Sequence, residues 1–200
     1  MEHITLFLSI ILAAIVMQNA FIMRGLGANK NTLLISSPRR IFLYGAVLTT
    51  VCSLSALISW PINYFFLRGP QLEERLSLRY LVTLGCICLV YLLLWYLTWE
   101  KAPRLHYHLR ELYASATFNC AVLGSLLLAF SENYNLLHTF GFAFGSGVGY
   151  TLAILLIYEG RRRIVLSEVP RAFRGLPIIL LYTGILSMAI YGLIGHQLPT

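Results

Sequence analysis

The run Thr117-Phe118-Asn119-Cys120-Ala121-Val122-Leu123-Gly124 sets an amide and a thiol side by side in a stretch otherwise suited to lipid. Polar side chains at membrane depth are costly, and they mark either a functional site or a contact between helices. A thiolate is a soft ligand. Inside a bilayer it points to a metal or redox centre rather than to ordinary solute binding. Cys120 is therefore the candidate metal ligand, with Asn119 and Gly124 as candidate cofactor-contacting neighbours. The other thiols read differently: Cys52 lies in a second apolar run, and Cys86 and Cys88, two apart in a third, point to different helix faces. Small buried apolar fillers are the simpler account of those three.

Familiar catalytic constellations are missing. The chain has no Asp, and its five His (His3, His106, His108, His138, His196) fall near span ends or termini, with no His-Glu-x-x-His pattern. His106 and His108 could bind a metal as His-x-His, but beside Arg104 and Arg110 they read as interfacial residues. Glu100, Glu111 and Glu159 sit at span edges, so no buried carboxylate for sodium or protons is visible. Gly141, Gly145 and Gly149 recur at steps of four. No Lys-Ser or Lys-Thr follows and no strand precedes, so a phosphate loop is disfavoured against helix packing. A glycine stripe lets backbones approach closely, within the chain or across a subunit boundary.

The elements that must position these residues are membrane spans. Hydrophobic residues make up 58% of the 200, charged residues 12%, and mean hydropathy is +0.74, beyond what a soluble domain of this length carries. Six apolar runs are expected to span: Ile4 to Met23, Ile41 to Leu67, Leu78 to Trp99, Leu112 to Phe130, Leu137 to Tyr158 and Leu176 to Gly195. Each approaches the roughly 20 residues a helix needs to cross about 30 Å of hydrocarbon. Alternating ten-residue segments are absent, which argues against a membrane barrel. The first run follows Met1-Glu2-His3 without a basic lead-in and reads as a retained span rather than a signal peptide.

Basic residues set the expected orientation. Arg24, Lys30, Arg39 and Arg40, then Lys101, Arg104 and Arg110, then Arg161, Arg162, Arg163, Arg171 and Arg174 fall in alternate loops, against only Arg68, Arg75 and Arg79 on the other side. The positive-inside rule places both termini outside the cytoplasm. The net charge of +7 is then a topology signal. Nucleic-acid binding is disfavoured because the charge is split among three short loops. Trp95, Tyr96 and Trp99 fit an interfacial aromatic belt.

The expected fold is all-α and integral to the membrane: one domain over residues 1–200, divided at the loop around Lys101 to Arg110 into halves 1–100 and 101–200. Three spans per half force the halves to insert from opposite sides, the topology of an inverted repeat. Gln18-Asn19 and Asn119, each followed by a glycine-containing tract, mark spans one and four as the broken or half helices. An opened backbone there must be buried in protein or line a cavity. The plainer reading is that each amide bonds a neighbouring helix.

Phe118-Asn119-Cys120-Ala121-Val122-Leu123-Gly124, Phe144-Gly145-Ser146-Gly147-Val148-Gly149, and Ser167-Glu168-Val169-Pro170 with Phe173-Arg174-Gly175 together resemble the RnfA and NqrE type of membrane subunit. The opening Met1-Glu2-His3 and Gln18-Asn19 followed by Leu26-Gly27 are also similar, so the resemblance covers essentially the whole chain. It implies a subunit of an Rnf-type ferredoxin:NAD oxidoreductase or a sodium-pumping NADH:quinone oxidoreductase in a prokaryotic cytoplasmic membrane. It further implies a homologous six-helix partner of the RnfE or NqrD type in opposite orientation. A shared two-iron, two-sulfur cluster would be held by two cysteines from each of the pair, with Cys120 one ligand.

The sequence departs from that pattern at Leu26-Gly27-Ala28-Asn29, where Asn29 stands in place of the other cysteine. An amide oxygen is a hard, weak ligand for iron. Three readings stay open: a subunit of a redox-driven ion-translocating oxidoreductase, a non-redox scaffold paralogue of such a complex, and a small inverted-repeat transporter.

Overall fold

The computed structural model describes residues 2–29, 33, 35, 37–66, 72–101, 112–165 and 170–194. His106, His108, His196, Lys30, Arg68, Arg104, Arg110, Glu111 and the run Ser167-Glu168-Val169 lie outside the described residues. Every regular element described is helical: α1 (Glu2–Ile15), α2 (Pro38–Phe66), α3 (Leu72–Lys101), α4 (Cys120–Ser131), α5 (Leu136–Val165) and α6 (Leu176–Ile194). Five helices are long and apolar enough to cross a membrane, the third of them counted over Leu112–Ser131 so as to include α4, and a shorter apolar helix covers Ile4–Ile15. The chain is an all-α multi-pass membrane protein, and each of the six apolar runs contains a helix, the first only as far as Ile15 and the fourth with an interruption at residues 118–119.

Element boundaries follow local chemistry. Pro38 opens α2, where its missing N–H is no loss. Asn133 closes α4 at φ 52°. Around it the Tyr134 N–H reaches the Ala129 carbonyl (3.4 Å) and the Asn133 N–H the Phe130 carbonyl (3.2 Å), the paired bonds of a helix that ends on a left-handed residue. The Trp60 indole then donates to the Tyr134 carbonyl (2.9 Å), pinning the α4–α5 connection to α2.

The α2–α5 pair forms the centre of the bundle and makes its most extensive helix contact, with α1 packed on α5. At the α2–α5 crossing the contacts are reciprocal. Gly45 of α2 faces Thr151 of α5, and Gly147 of α5 faces Thr49 of α2. Each threonine bonds back to the glycine four residues before it, Thr49 to the Gly45 carbonyl (2.7 Å) and Thr151 to the Gly147 carbonyl (2.9 Å). Each hydroxyl is thereby satisfied on its own helix while lying against the bare glycine of the other, so neither needs a partner across the crossing. The peripheral helices α3 and α6 leave large apolar side chains outside, Leu81, Leu92, Tyr96 and Trp99 on one, Met188 and Leu193 on the other. That surface suits hydrocarbon rather than water.

The glycine stripe lies inside the chain. A methyl on Gly141 would press on the Phe7 ring, one on Gly145 would sit 2.7 Å from the Ile11 carbonyl oxygen, and one on Gly149 2.8 Å from that of Ile15. Of the two placements open from sequence, close approach within the chain or across a subunit boundary, the structure has the first. α1 seats on α5 because these positions lack side chains.

Candidate functional site: two broken segments joined at α5

Two asparagines interrupt the first and fourth spans, and each does so with its own side chain. After α1 ends at Ile15, Asn19 donates to the Ile15 carbonyl (2.8 Å), while its Oδ1 accepts from the Phe21 and Ile22 N–H groups (3.0 and 3.1 Å). One amide thus holds both sides of the break. The turn that follows closes with the Gly25 N–H on the Phe21 carbonyl and the Leu26 N–H on that of Ala20. Gly25 and Gly27 there adopt φ of 64° and 81°, values that an L side chain resists.

Asn119 caps α4, its Oδ1 accepting from the Ala121 N–H (2.9 Å). An Asn in this place satisfies a donor that the start of a helix leaves free. Its amide nitrogen donates to two phenols, Tyr44 of α2 (2.9 Å) and Tyr150 of α5 (2.7 Å). Tyr44 in turn donates to the Ser115 carbonyl (3.1 Å), and Tyr150 to the Gly27 carbonyl (2.9 Å). Asn19 and Asn119 are 1% and 2% exposed. The network is closed: both amide hydrogens, the amide oxygen and both hydroxyl protons are placed. Buried polar groups at membrane depth are costly unless satisfied, and these are.

Tyr150 therefore touches both broken segments, and Phe21 covers its ring edge-on with centroids 5.5 Å apart. The two segments also pack directly. A Cβ on Gly27 would collide with the Asn119 amide, and one on Gly124 with the end of Leu26. Gly124 is thus a seat for Leu26, and the 26–29 segment lies across the start of α4.

Cys120, the first residue of α4, shares a helix face with Gly124 and is exposed. Phe118 beside it is 54% exposed, and its ring rests against Tyr91 of α3. Ala28 and Asn29 are exposed as well. The structure brings residue 29 and Cys120 out from neighbouring backbone, both at the surface of the chain. Two of the other thiols are buried away from the surface, Cys52 against Ser125 (3.7 Å) and Cys86 within α3, while Cys88 on α3 is half-buried. Among the described residues no group of three or more His, Cys, Asp or Glu side chains is arranged to hold a metal ion.

Sequence reading missed Tyr44 and Tyr150, which hold the Asn119 amide, Tyr150 also reaching the segment after the first break. Their signal was faint: Tyr150 lies well inside an apolar run rather than at its interfacial end, whereas Tyr44 stands near the start of its run, where an aromatic belt would account for it. Arg161 adds a tie at the far end of α5, donating to the Leu33 and Ile35 carbonyls (3.1 and 2.8 Å). Arg161 thus secures the chain between the first two spans as well as supplying charge.

Comparison with known proteins agrees with this architecture. The family model described as "Rnf-Nqr subunit, membrane protein" matches residues 7–196. The chain is 33% identical over 157 residues to the A component of the Na(+)-translocating ferredoxin:NAD(+) oxidoreductase complex of Acetobacterium woodii, covering 77% of this chain and 79% of that one. The A component of the ion-translocating oxidoreductase complex of Edwardsiella ictaluri is 32% identical over 154 residues, and that of Syntrophotalea carbinolica 30% over 151, each covering 76% of this chain and 77% of the relative. With the match running through both asparagine breaks and nearly all the helices, the chain belongs to the Rnf-Nqr family of membrane subunits.

Proposed function

We propose that this chain is a membrane subunit of an Rnf-like ion-translocating oxidoreductase complex, with the face that carries Cys120 and residue 29 turned toward a homologous six-helix subunit. The carrying observation is the exposed thiol at the first turn of α4, held in place by a fully satisfied buried network rather than by a loop. The names of the relatives support membership of such a complex. The basic loops support placement in a prokaryotic cytoplasmic membrane with both termini outside. The reciprocal Gly45–Thr151 and Gly147–Thr49 contacts, with an asparagine break in the first span of each half, support two inverted three-helix repeats, 1–100 and 101–200.

An iron-sulfur cluster fits one part of this face and not the other. Cys120 offers a sulfur that a partner could reach. Asn29 offers a neutral amide, a poor ligand for iron where a thiolate is wanted. The chain by itself supplies too few thiolates, so any cluster would rest chiefly on the partner's ligands. Asn29 is also the observation that favours a second reading, a scaffold paralogue of the same complex.

The test is purification from native membranes, followed by iron and acid-labile sulfide analysis and electron paramagnetic resonance after reduction. Co-purification of a homologous six-helix protein is expected, with an iron signal that Cys120→Ala abolishes. Recovery as a lone stable monomer would refute the complex. An intact complex without iron would select the scaffold.

A further inference from the structure

We propose that Tyr150 is a positioning residue, whose hydroxyl sets the distance between residue 29 and Cys120 on the exposed face. It rests on the reading above only in treating that face as the working one. The hydroxyl accepts from the Asn119 amide at 2.7 Å, one residue from Cys120, and donates to the Gly27 carbonyl at 2.9 Å, two residues from Asn29. The two surface residues are thus linked through short covalent paths and two hydrogen bonds, one buried and one partly buried. Tyr150 is 1% exposed, and its backbone is part of α5, the helix around which α1, α2 and α4 pack. A side chain so anchored can impose a position on both segments through Asn119 and Gly27.

Tyr44 is the internal contrast. It accepts from the same Asn119 amide, but its proton goes to Ser115, in the helical stretch just before the break. Losing the Tyr44 hydroxyl leaves the bond to Gly27 in place. Losing the Tyr150 hydroxyl removes the Gly27 tie and one Asn119 partner together, and leaves the Gly27 carbonyl with only the local bond from the Asn29 N–H (2.8 Å), which holds residue 29 to Gly27 but not to α5.

The experiment introduces Asn29→Cys and measures cross-linking to Cys120 in native membranes with a short bis-maleimide, identifying the joined peptides by mass spectrometry. Tyr150→Phe in that background is expected to lower the cross-linking rate about tenfold, the factor that corresponds to about 1.4 kcal/mol, whereas Tyr44→Phe should change it less than threefold. Alkylation of Cys52, 1% exposed, reports general loosening and should stay slow in both variants. Equal rates in the two phenylalanine variants, fast Cys52 labelling in Tyr150→Phe, or no cross-link in Asn29→Cys alone would each overturn the assignment. Iron content plays no part in this readout, so the clamp and the redox reading can fail separately.

Discussion

Gly149→Ala probes the seat of α1 on α5 and the first break together. The added methyl would stand 2.8 Å from the Ile15 carbonyl oxygen and 2.9 Å from the Asn19 amide nitrogen. Neither can retreat easily, since the Ile15 carbonyl accepts that same amide at 2.8 Å. Forcing one carbon into a packed contact costs about 1–3 kcal/mol. Lengthening a buried hydrogen bond adds about 0.5–1.5 kcal/mol. Against this stands a gain of about 0.5–1 kcal/mol from replacing glycine by alanine inside a helix. The net expectation is a loss of roughly 1–3 kcal/mol. Gly184→Ala on α6 is the control, because nothing lies within 4 Å of its added carbon, and it should be neutral or slightly stabilising. Both variants are to be titrated with denaturing detergent while labelling of the buried Cys52 thiol is followed. Equal midpoints for Gly149→Ala and Gly184→Ala would refute the packing argument.

Asn119→Ala removes a helix cap and leaves two buried phenols without their donor, so a loss of about 2–4 kcal/mol is expected in the same titration; an unchanged midpoint would show the network to be dispensable. Gly45→Ala and Gly147→Ala should both destabilise by about 1–3 kcal/mol. The second should cost at least as much, because its methyl would meet the Thr49 Cα at 2.7 Å whereas the first meets the Thr151 side chain; a clear effect of one and none of the other would contradict a reciprocal crossing. Arg161→Met frees the Leu33 and Ile35 carbonyls, and protease cleavage between α1 and α2 should accelerate several-fold with the rest of the chain intact. Unaltered cleavage would mean the tie has no consequence in the membrane.

The membrane class, the six helices and the two interruptions were written in composition and in two residues. A long apolar run becomes a helix in lipid because no other local structure satisfies its backbone, and an Asn within it is a strong candidate break, since its side chain competes for nearby N–H groups. Cys120 could be singled out for the same local reason, a thiol beside that break. What the run could not reveal was direction. Exposure of Cys120 and burial of Cys52 depend on which face of each helix meets a neighbour, and every face of these helices is apolar enough to go either way.

The partners of the breaks were decided by tertiary structure alone. Tyr150 and Gly27 are 123 residues apart and Asn119 and Tyr44 are 75 apart, and nothing in either neighbourhood encodes the other. The glycines at 141, 145 and 149 fixed a smooth helix face, and the fold assigned it to α1. Local chemistry, acting over one or two turns, determined where each helix stops. Which surfaces then meet was settled by whole-chain packing, because only in the assembled bundle do the Asn119 amide and the Tyr44 and Tyr150 hydroxyls meet and the bare positions of α5 find a helix to lie against.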